Sequence, residues 1–293
     1  MIYNVGGTSL LNAFDISGEQ LGEAYDVDGN EVFSGWGEEI SIEEFRNTTT
    51  GTTYYIVHIP QTRPNGQKQY PFVYAPNGTG VATQSTLEMN RQHKFYMAIN
   101  AGVFEMPSSG LYTPVGTIVQ NSVVIKQGSE QELSHHPSWQ YAFTIDDEGW
   151  LGYADRYASA SEMTEQGIVS AVQSFTPVII NHVDAYEITH SAVLENTSDA
   201  QRQIIGQYDN GDYCILTCEG RGFKDSVGFT MPQIREMCLD MGLKFAFMLD
   251  GGGSTETVIG DEQINTIYEG TYGRKVPTFI VFNGTDEFFV PNA

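Results

Sequence analysis

Short apolar segments separated by turn residues dominate this chain, and they limit it to a fold built mainly from β-strands. Segments such as Thr53–Ile59, 245–249 and Phe279–Phe282 are shorter than ordinary helices and are rich in β-branched and aromatic residues, which favour strands. The 31 glycines, 16 tyrosines and 16 phenylalanines fit many strands joined by tight turns. We therefore expect an α+β fold with a twisted, mainly antiparallel β-sheet core.

Two capping-box sequences mark the clearest helices. Ser85 is followed three residues later by Glu88, which predicts a short helix. Thr230 and Gln233 form the second box, ahead of apolar residues at helical spacing. The stretch 155–172 is polar with scattered apolar positions, and we expect it to be partly helical. These few helices would cover the sheet.

The first 37 residues differ from the remainder of the chain. Residues 13–18 are echoed by 24–29, with apolar and polar residues alternating and a glycine closing each unit. This pattern predicts two strand–turn units, which would make a small β-hairpin attachment. We expect the main domain to span residues 52–293.

The excess of acidic residues limits the kinds of molecule that this protein can bind. Acidic residues outnumber basic ones 37 to 14, for a net charge of −23, which excludes nucleic acid because phosphate backbones require clustered lysine and arginine. No apolar run approaches the roughly 20 residues needed to cross a bilayer, so we expect no membrane span. If the substrate is anionic, the few arginines must lie where it binds.

The three cysteines and the N-terminal residues indicate the cellular compartment in which the protein folds. An odd number of cysteines without close spacing gives no disulfide framework and favours buried free thiols. The first residues carry neither a basic region nor an apolar run, so they do not resemble a signal peptide. Both features predict folding in a reducing cytoplasm.

Asp250 is the sharpest candidate for chemistry. It ends an apolar segment and precedes a run of small residues: Gly251, Gly252, Gly253, Ser254 and Thr255. Consecutive glycines let the backbone adopt left-handed conformations and let a ligand approach closely. Successive N–H groups in such a turn can form an anion-binding nest. A plain flexible turn is the alternative interpretation.

Two further features complete the candidate site. Asn100 ends another apolar segment and is followed by Gly102 and the carboxylate of Glu105; a strand followed by a turn would explain these residues equally well. Three arginines fall near predicted strand ends, at Arg202, Arg221 and Arg274. The planar guanidinium suits a phosphate diester, although any one of them could be a surface or ion-pair residue.

Together these segments resemble the phosphodiester glycosidase family over roughly residues 52–285. The resembling blocks are Asn-Ala-Gly-Val-Phe at 100–104, Arg-Gln-Ile-Ile-Gly at 202–206, Glu-Gly-Arg at 219–221, Gly-Phe-Thr at 228–230, Leu-Asp-Gly-Gly-Gly-Ser-Thr at 249–255, and Arg274 before the last strand. The block at 249–255 is the most specific. Val103 stands where the family usually has an aromatic residue, and 175–181 lacks the Gly-Gly-Pro often found there, so the sugar pocket is where this chain would differ.

The resemblance implies a hydrolase that cleaves the anomeric C–O bond of a sugar 1-phosphodiester, such as an N-acetylglucosamine 1-phosphodiester. Asp250 is then the first choice for nucleophile, base or electrostatic stabiliser, and Glu105 and Asp225 are second choices. The implied substrate-binding residues are Asn100, Gly102, Arg202, Arg221, Gly251, Gly252, Gly253, Ser254, Thr255 and Arg274. Calcium is a further candidate ligand, but the sequence shows no dedicated motif: a loop starting at Asp26 has glycine, not glutamate, at its twelfth position.

The N-terminal segment resembles repeats at the N-termini of phage and prophage tail and baseplate-associated proteins. This resemblance implies a virion enzyme that acts on a phosphate-containing glycan of the host surface, such as teichoic acid or phosphate-linked capsule, with residues 1–37 binding other tail proteins. A bacterial cytoplasmic enzyme is the alternative location. A non-catalytic glycan-binding or structural tail component on the same fold is the alternative function.

Overall fold

The computed structural model describes residues 40–62, 66, 68–268 and 273–282, together with the backbone of four short strands before residue 40. In chain order the strands are β1 (Gly7–Ser9), β2 (Phe14–Ile16), β3 (Glu23–Tyr25), β4 (Glu31–Ser34), β5 (Ile40–Asn47), β6 (Thr53–Ile59), β7 (Pro71–Tyr74), β8 (Met97–Asn100), β9 (Phe104–Glu105), β10 (Thr113–Pro114), β11 (Ile118–Gln120) and β12 (Val123–Lys126). They continue with β13 (Tyr141–Asp146), β14 (Leu151–Asp155), β15 (Ile168–Ser174), β16 (Thr176–Ile180), β17 (Val183–Asp184), β18 (Gln203–Gln207), β19 (Tyr213–Cys218), β20 (Phe245–Met248), β21 (Thr257–Ile259), β22 (Glu262–Gln263) and β23 (Phe279–Phe282). The helices are α1 (Thr86–His93), α2 (Glu130–Ser134), α3 (Ala160–Glu165), α4 (Tyr186–Thr189) and α5 (Met231–Asp240), with 3₁₀ turns at Ala192–Glu195, Phe223–Asp225 and Gly252–Ser254.

Three antiparallel sheets make up most of the fold. The large sheet has the order β1-β5-β6-β19-β18-β20-β16-β17, with β2 also paired to β5. The second sheet is β12-β11-β15-β13-β14, and the third is β22-β21-β8-β23-β7. Two short ladders, β3-β4 and β9-β10, complete the pairing. The expected α+β fold with mainly antiparallel sheets is confirmed.

The three sheets share one hydrophobic core, and a helix covers the outer face of each. The shared core includes Val57, Ile215 and Phe247 of the large sheet, Phe143 and Val172 of the second, and Ile99 and Ile280 of the third. Outside it, α5 packs Ile234 and Met237 against the large sheet. Met89 of α1 and Met163 of α3 do the same for the third and second sheets. Each sheet is therefore apolar on both faces.

Both predicted capping boxes form. The Ser85 hydroxyl accepts from the Glu88 N–H, and the Glu88 carboxylate accepts in return from the Ser85 N–H. Thr230 and Gln233 make the same reciprocal pair at the start of α5. α1 has a second cap, because the Glu256 carboxylate accepts from the N–H groups of its first two residues.

The expectation that residues 155–172 are partly helical is confirmed, but the strand that follows the helix was not predicted. Helix α3 occupies Ala160–Glu165, but the chain then enters β15, which lies between β11 and β13 in the second sheet. The polar residues of β15 concealed the strand because they are buried and hydrogen-bonded rather than exposed. Ser170, for example, is fully buried and accepts from the Val73 N–H.

The N-terminal part contributes strands to the large sheet. β5 lies before residue 52, where the sequence predicts that the main domain begins, and it pairs with β6 over residues 41–46. β3 and β4 pair as a hairpin, whereas β1 and β2 pair with β5. The turn residues of the predicted repeat, including Asp26, lie outside the described residues.

Two further sequence predictions concern the cysteines and membrane-spanning helices. Cys214, Cys218 and Cys238 are free and buried, as the sequence predicts. Burial raises the pKa of the Cys214 and Cys218 thiols to about 12, which makes them inert. Within residues 40–62, 68–268 and 273–282, no helix is long and apolar enough to cross a membrane.

Candidate active site

Asp250 lies where the large sheet meets the third sheet. Asp250 is the second residue after β20 of the large sheet, directly after Leu249. Asn100 is the last residue of β8 in the third sheet. The Asp250 N–H donates to the Ala101 carbonyl over 3.0 Å. In return, the Asn100 side-chain amide donates to the Asp250 carbonyl over 2.7 Å. The backbone of Asp250 is therefore fixed from both sheets.

Asn100 orients this turn through the hydrogen bonds of its side-chain amide. Its side chain is 1% exposed, and its Oδ1 accepts from the Glu256 N–H over 3.0 Å. Both ends of the amide are thus bonded to the backbone. A direct role in holding a sugar hydroxyl is not supported by this geometry.

The Asp250 carboxyl group is half-buried and surrounded by donors. Its Oδ1 accepts from the Gly251 N–H over 3.0 Å, and the Ser254 hydroxyl is also bonded to it. Burial raises the pKa of Asp250 to about 6, opposed by Ser254, the positive charge of Arg274 and the Gly251 N–H. A carboxyl group with this pKa changes protonation state just below neutral pH, as catalytic carboxyl groups often do.

The glycines allow two arginines to lie directly on the backbone. Gly252 has a φ of +60°, and a methyl group in place of its hydrogen would lie 2.9 Å from Nη2 of Arg221. A methyl group on Gly253 would lie 2.6 Å from Nη2 of Arg274. Any side chain here would displace a guanidinium group, so the glycines are needed for close approach.

Three N–H groups of this turn are used within the protein. Gly252 donates to the Gln201 carbonyl over 2.9 Å, and Ser254 donates to the Gly251 carbonyl over 3.2 Å. Gly251 is bonded to Asp250, and an anion nest built on the turn stays a prediction. Positive charge beside the turn comes from the arginines instead.

A tyrosine that sequence reasoning missed links the two arginines. The Arg221 guanidinium carbon lies 4.1 Å from the centre of the Tyr268 ring, and that of Arg274 lies 6.0 Å from it. Arg274 also donates through Nη1 to the Ser254 hydroxyl over 3.3 Å. Tyr268 is 42% exposed, so this cluster faces solvent. Nothing in the sequence around Tyr268 marks it as a site residue.

Arg202 has a different role from the other two arginines. It is 6% exposed, and its Nε and Nη2 donate to the carbonyls of Phe229 and Ser198 over 3.0 and 2.8 Å. The guanidinium therefore holds two backbone segments together. Burial lowers its pKa from the usual value of arginine. It still forms part of a cavity wall.

A cavity of about 700 Å³ opens beside Asp250. Asp250, Gly251, Gly252 and Arg202 form one part of its wall. The apolar part of the wall consists of Pro137, Phe175, Ala192, Val193, Ala200 and Met248. Phe175 belongs to the stretch 175–181 that departs from the family pattern, and it lies in this wall.

The two other candidate carboxylates lie elsewhere. Glu105 is largely exposed, with Oε1 3.6 Å from Nε2 of His136. Asp225 is exposed in a 3₁₀ turn, with a φ of +54°. Neither Glu105 nor Asp225 is among the described residues that line the cavity. A catalytic role for either stays a prediction.

Gly102 and Thr255 support the site rather than face the cavity. A methyl group on Gly102 would lie 2.4 Å from Val172 and 2.9 Å from Thr278, so glycine is required by packing. Thr255 is 2% exposed, and its carbonyl accepts from the Asn265 amide over 2.9 Å. In the part of the chain that the structure describes, no three His, Cys, Asp or Glu side chains come together in a way that could hold a metal ion.

Comparisons with known structures agree on the fold. The chain superimposes on the catalytic domain of zebrafish N-acetylglucosamine-1-phosphodiester alpha-N-acetylglucosaminidase, described as auto-inhibited by its pro-peptide, with a TM-score of 0.60 and 14% identity. That match covers 96% of this chain and 84% of the zebrafish one. A hypothetical protein from Synechocystis matches with a TM-score of 0.57 and 14% identity over 83% of this chain and 62% of its own.

Sequence comparison gives a relative and a family. The SPbeta prophage-derived uncharacterized protein YomE of Bacillus subtilis is 26% identical over 258 residues, which are 83% of this chain but only 38% of that protein. The sequence profile of the family described as phosphodiester glycosidase matches residues 93–283, a region that includes Asn100, Asp250 and Arg274. The chain therefore belongs to the phosphodiester glycosidase family.

Proposed function

We propose that this protein hydrolyses the anomeric C–O bond of a sugar 1-phosphodiester, with Asp250 acting at the anomeric centre. The observation that supports this proposal most strongly is that Asp250 lies between a cavity and two arginines. On one side is a cavity of about 700 Å³, a volume typical of small-molecule sites. On the other side are Arg221 and Arg274, which lie against the glycines that follow Asp250.

The two surroundings suit the two halves of such a substrate. The sugar fits the cavity, where apolar residues can contact a ring face and polar side chains such as Gln140 and Asn196 can bond hydroxyl groups. The phosphate fits the arginine side, where guanidinium groups neutralise the charge that develops as the bond breaks. Asp250 then lies near the junction of sugar and phosphate.

Hydrolysis places the hydroxyl group of water on the anomeric carbon and leaves a phosphate monoester. In its ionised form Asp250 is suited to stabilise the oxocarbenium-like transition state, either as a nucleophile or as a base for water. Phosphate is a good leaving group, so the arginines can replace the acid that ordinary glycosidases use. Arg202 contributes mainly by holding the wall of the cavity.

For the natural substrate we propose a phosphate-containing glycan of the bacterial surface, such as teichoic acid or phosphate-linked capsule. The support is the prophage origin of YomE, together with the resemblance of residues 1–37 to phage tail proteins. A virion location follows from the same argument. Detection of the protein in purified virions would support it, and absence from virions would favour a bacterial cytoplasmic location without affecting the proposed reaction.

The test is hydrolysis of a panel of sugar 1-phosphodiesters that includes N-acetylglucosamine 1-phosphate esters. We expect the wild-type protein to release free sugar and Asp250→Asn to release none. Arg221→Ala and Arg274→Ala should raise KM, while Arg221→Lys should recover part of the affinity. If a folded wild-type protein binds the glycans but releases no sugar from any of them, the protein is a glycan-binding module.

A further inference from the structure

Glu219 is a buried carboxylate close to the arginine side of the site. It follows β19 directly and is 0% exposed. Its Oε1 accepts from the N–H and the hydroxyl of Thr266 over 2.8 and 3.0 Å, and from the Tyr55 hydroxyl over 3.4 Å. Burial raises the pKa of Glu219, and these hydrogen bonds oppose that rise.

These hydrogen bonds join two segments of the chain that also touch through Phe223 and Tyr268. Glu219 is two residues before Arg221, and Thr266 is two residues before Tyr268. Beyond this junction, the Arg221 guanidinium carbon lies 4.1 Å from the centre of the Tyr268 ring. The Glu219 carboxylate thus contributes the hydrogen bonds between the two segments that bring Arg221 and Tyr268 together.

Packing alone does not account for a carboxylate at this position. Removing a carboxylate from water is costly unless it is paired and hydrogen-bonded. The Glu219 Oε2 makes no hydrogen bond to the described residues. Positive charge comes from Lys224, which reaches Glu219 indirectly by donating to the Tyr55 hydroxyl over 2.6 Å. A residue kept at such a cost is a candidate for a role beyond stability.

We propose that Glu219 is a positioning residue for the phosphate half of the substrate: it holds the Thr266–Tyr268 segment to the end of β19, and through Tyr268 it sets the places of Arg221 and Arg274 beside the glycines. The proposal rests on the proposed function, because it concerns how that site holds phosphate. Tyr268 contacts both guanidinium groups, so a displaced ring changes the position of both. The cavity has other walls, so the sugar half is not affected.

The test measures phosphate binding separately from turnover. Inorganic phosphate is titrated into wild type, Glu219→Ala, Glu219→Gln, Tyr268→Leu and the double variant Glu219→Ala/Tyr268→Leu, with thermal melting as the check of folding. We expect Glu219→Ala and Tyr268→Leu each to weaken phosphate binding by about tenfold. Glu219→Gln keeps an acceptor for Thr266 and should recover most of the loss.

The double variant distinguishes positioning from general destabilisation. If Glu219 acts through Tyr268, the two losses do not add. The double variant then binds phosphate as tightly as the single variant with the lower phosphate affinity. With a sugar 1-phosphodiester, Glu219→Ala should raise KM much more than it lowers kcat. Glu43→Gln removes another buried carboxylate, on β5, and is the matched control; its phosphate affinity should equal that of wild type.

Three results would overturn the proposal. In the first, Glu219→Ala binds phosphate as tightly as wild type. In the second, the losses of phosphate affinity in the two single variants add in the double variant. In the third, Glu219→Ala lowers kcat and leaves KM unchanged. If Glu219→Ala does not fold, Thr266→Val removes one of the three hydrogen bonds, and unchanged phosphate affinity in both that variant and Tyr268→Leu would be equally negative. Failure of the proposed function looks different, since wild type itself would then release no sugar from any phosphodiester, whatever its affinity for phosphate.

Discussion

The side-chain amide of Asn100 donates a hydrogen bond of 2.7 Å to the main-chain carbonyl of Asp250. The other end of the same amide accepts from the Glu256 N–H. One buried side chain thus connects the strand end that carries the proposed catalytic carboxylate to the backbone of a different sheet. Placement of Asp250 depends on a donor at position 100, and the following prediction tests that dependence.

Asn100→Asp should lower both stability and turnover. An ionised aspartate only accepts hydrogen bonds, so the Asp250 carbonyl would lose its donor and face a carboxylate instead. We expect a loss of about 1–3 kcal/mol in the free energy of unfolding, measured in urea, and a lower kcat. Gln131→Glu makes the same chemical change at an exposed position of α2 and should change neither quantity. Equal stability of Asn100→Asp and wild type would contradict the structural role.

The ionisation of Asp250 should appear in the pH dependence of turnover. Its pKa is raised to about 6 by burial, and the proposed mechanism uses the ionised form. We expect kcat/KM to rise as pH increases through about 6 and to level off above it. Asp250→Asn should lower kcat by about a thousandfold or more. A profile that is flat between pH 5 and 7, or an active asparagine variant, would remove Asp250 from the mechanism.

Gly252→Ala should weaken phosphate binding by an amount that backbone strain alone does not explain. The added methyl group would lie 2.9 Å from Nη2 of Arg221 and displace it. Gly110 is the control, because its φ of +73° carries a similar penalty for alanine, while no atom lies within 4 Å of the added methyl group. Both variants should lose about 1 kcal/mol of stability. Only Gly252→Ala should bind inorganic phosphate less tightly than wild type.

Glu256 should make the protein less stable as pH rises. It is 2% exposed, and burial raises its pKa to about 7, opposed by the Thr86 and Leu87 N–H groups. The folded state holds this proton more tightly than the unfolded state, so the stabilisation is present below about pH 4.5 and is lost towards pH 7. The full effect is about 3 kcal/mol. Between pH 4 and pH 8, urea unfolding should show a loss of stability in wild type that exceeds the loss in Glu256→Gln by about 3 kcal/mol, because other buried carboxyl groups such as Asp250 titrate in both proteins.

The sequence predicted those parts of the fold whose signals are local. The strands Thr53–Ile59 and Phe279–Phe282 and both capping boxes depend on neighbouring residues, and all were identified correctly. β15 was missed because its polar residues find partners on other strands, which a local pattern does not reveal. Buried polar strands of this kind resemble exposed segments in sequence.

The candidate site shows the same division. Asp250, Arg221 and Arg274 were found because motif order placed them, and the structure brings them together at the glycines. Tyr268 carries no local signal, and Glu219 belongs to a resembling block that gave it no role, since its hydrogen bonds reach a segment 47 residues away. Glu105 and Asp225, the second choices, lie in a short ladder and in an exposed turn and do not line the cavity among the described residues, so their catalytic role stays a prediction.

The meeting of β8 and β20 also has a kinetic consequence. Each strand end belongs to a separate sheet, so neither sheet alone holds the Asp250 carboxylate in place. A folding intermediate that contained complete but undocked sheets would show full β-structure by circular dichroism and would be inactive. Recovery of turnover during refolding should therefore lag behind recovery of the β signal, and the lag would measure the rate at which the two sheets dock.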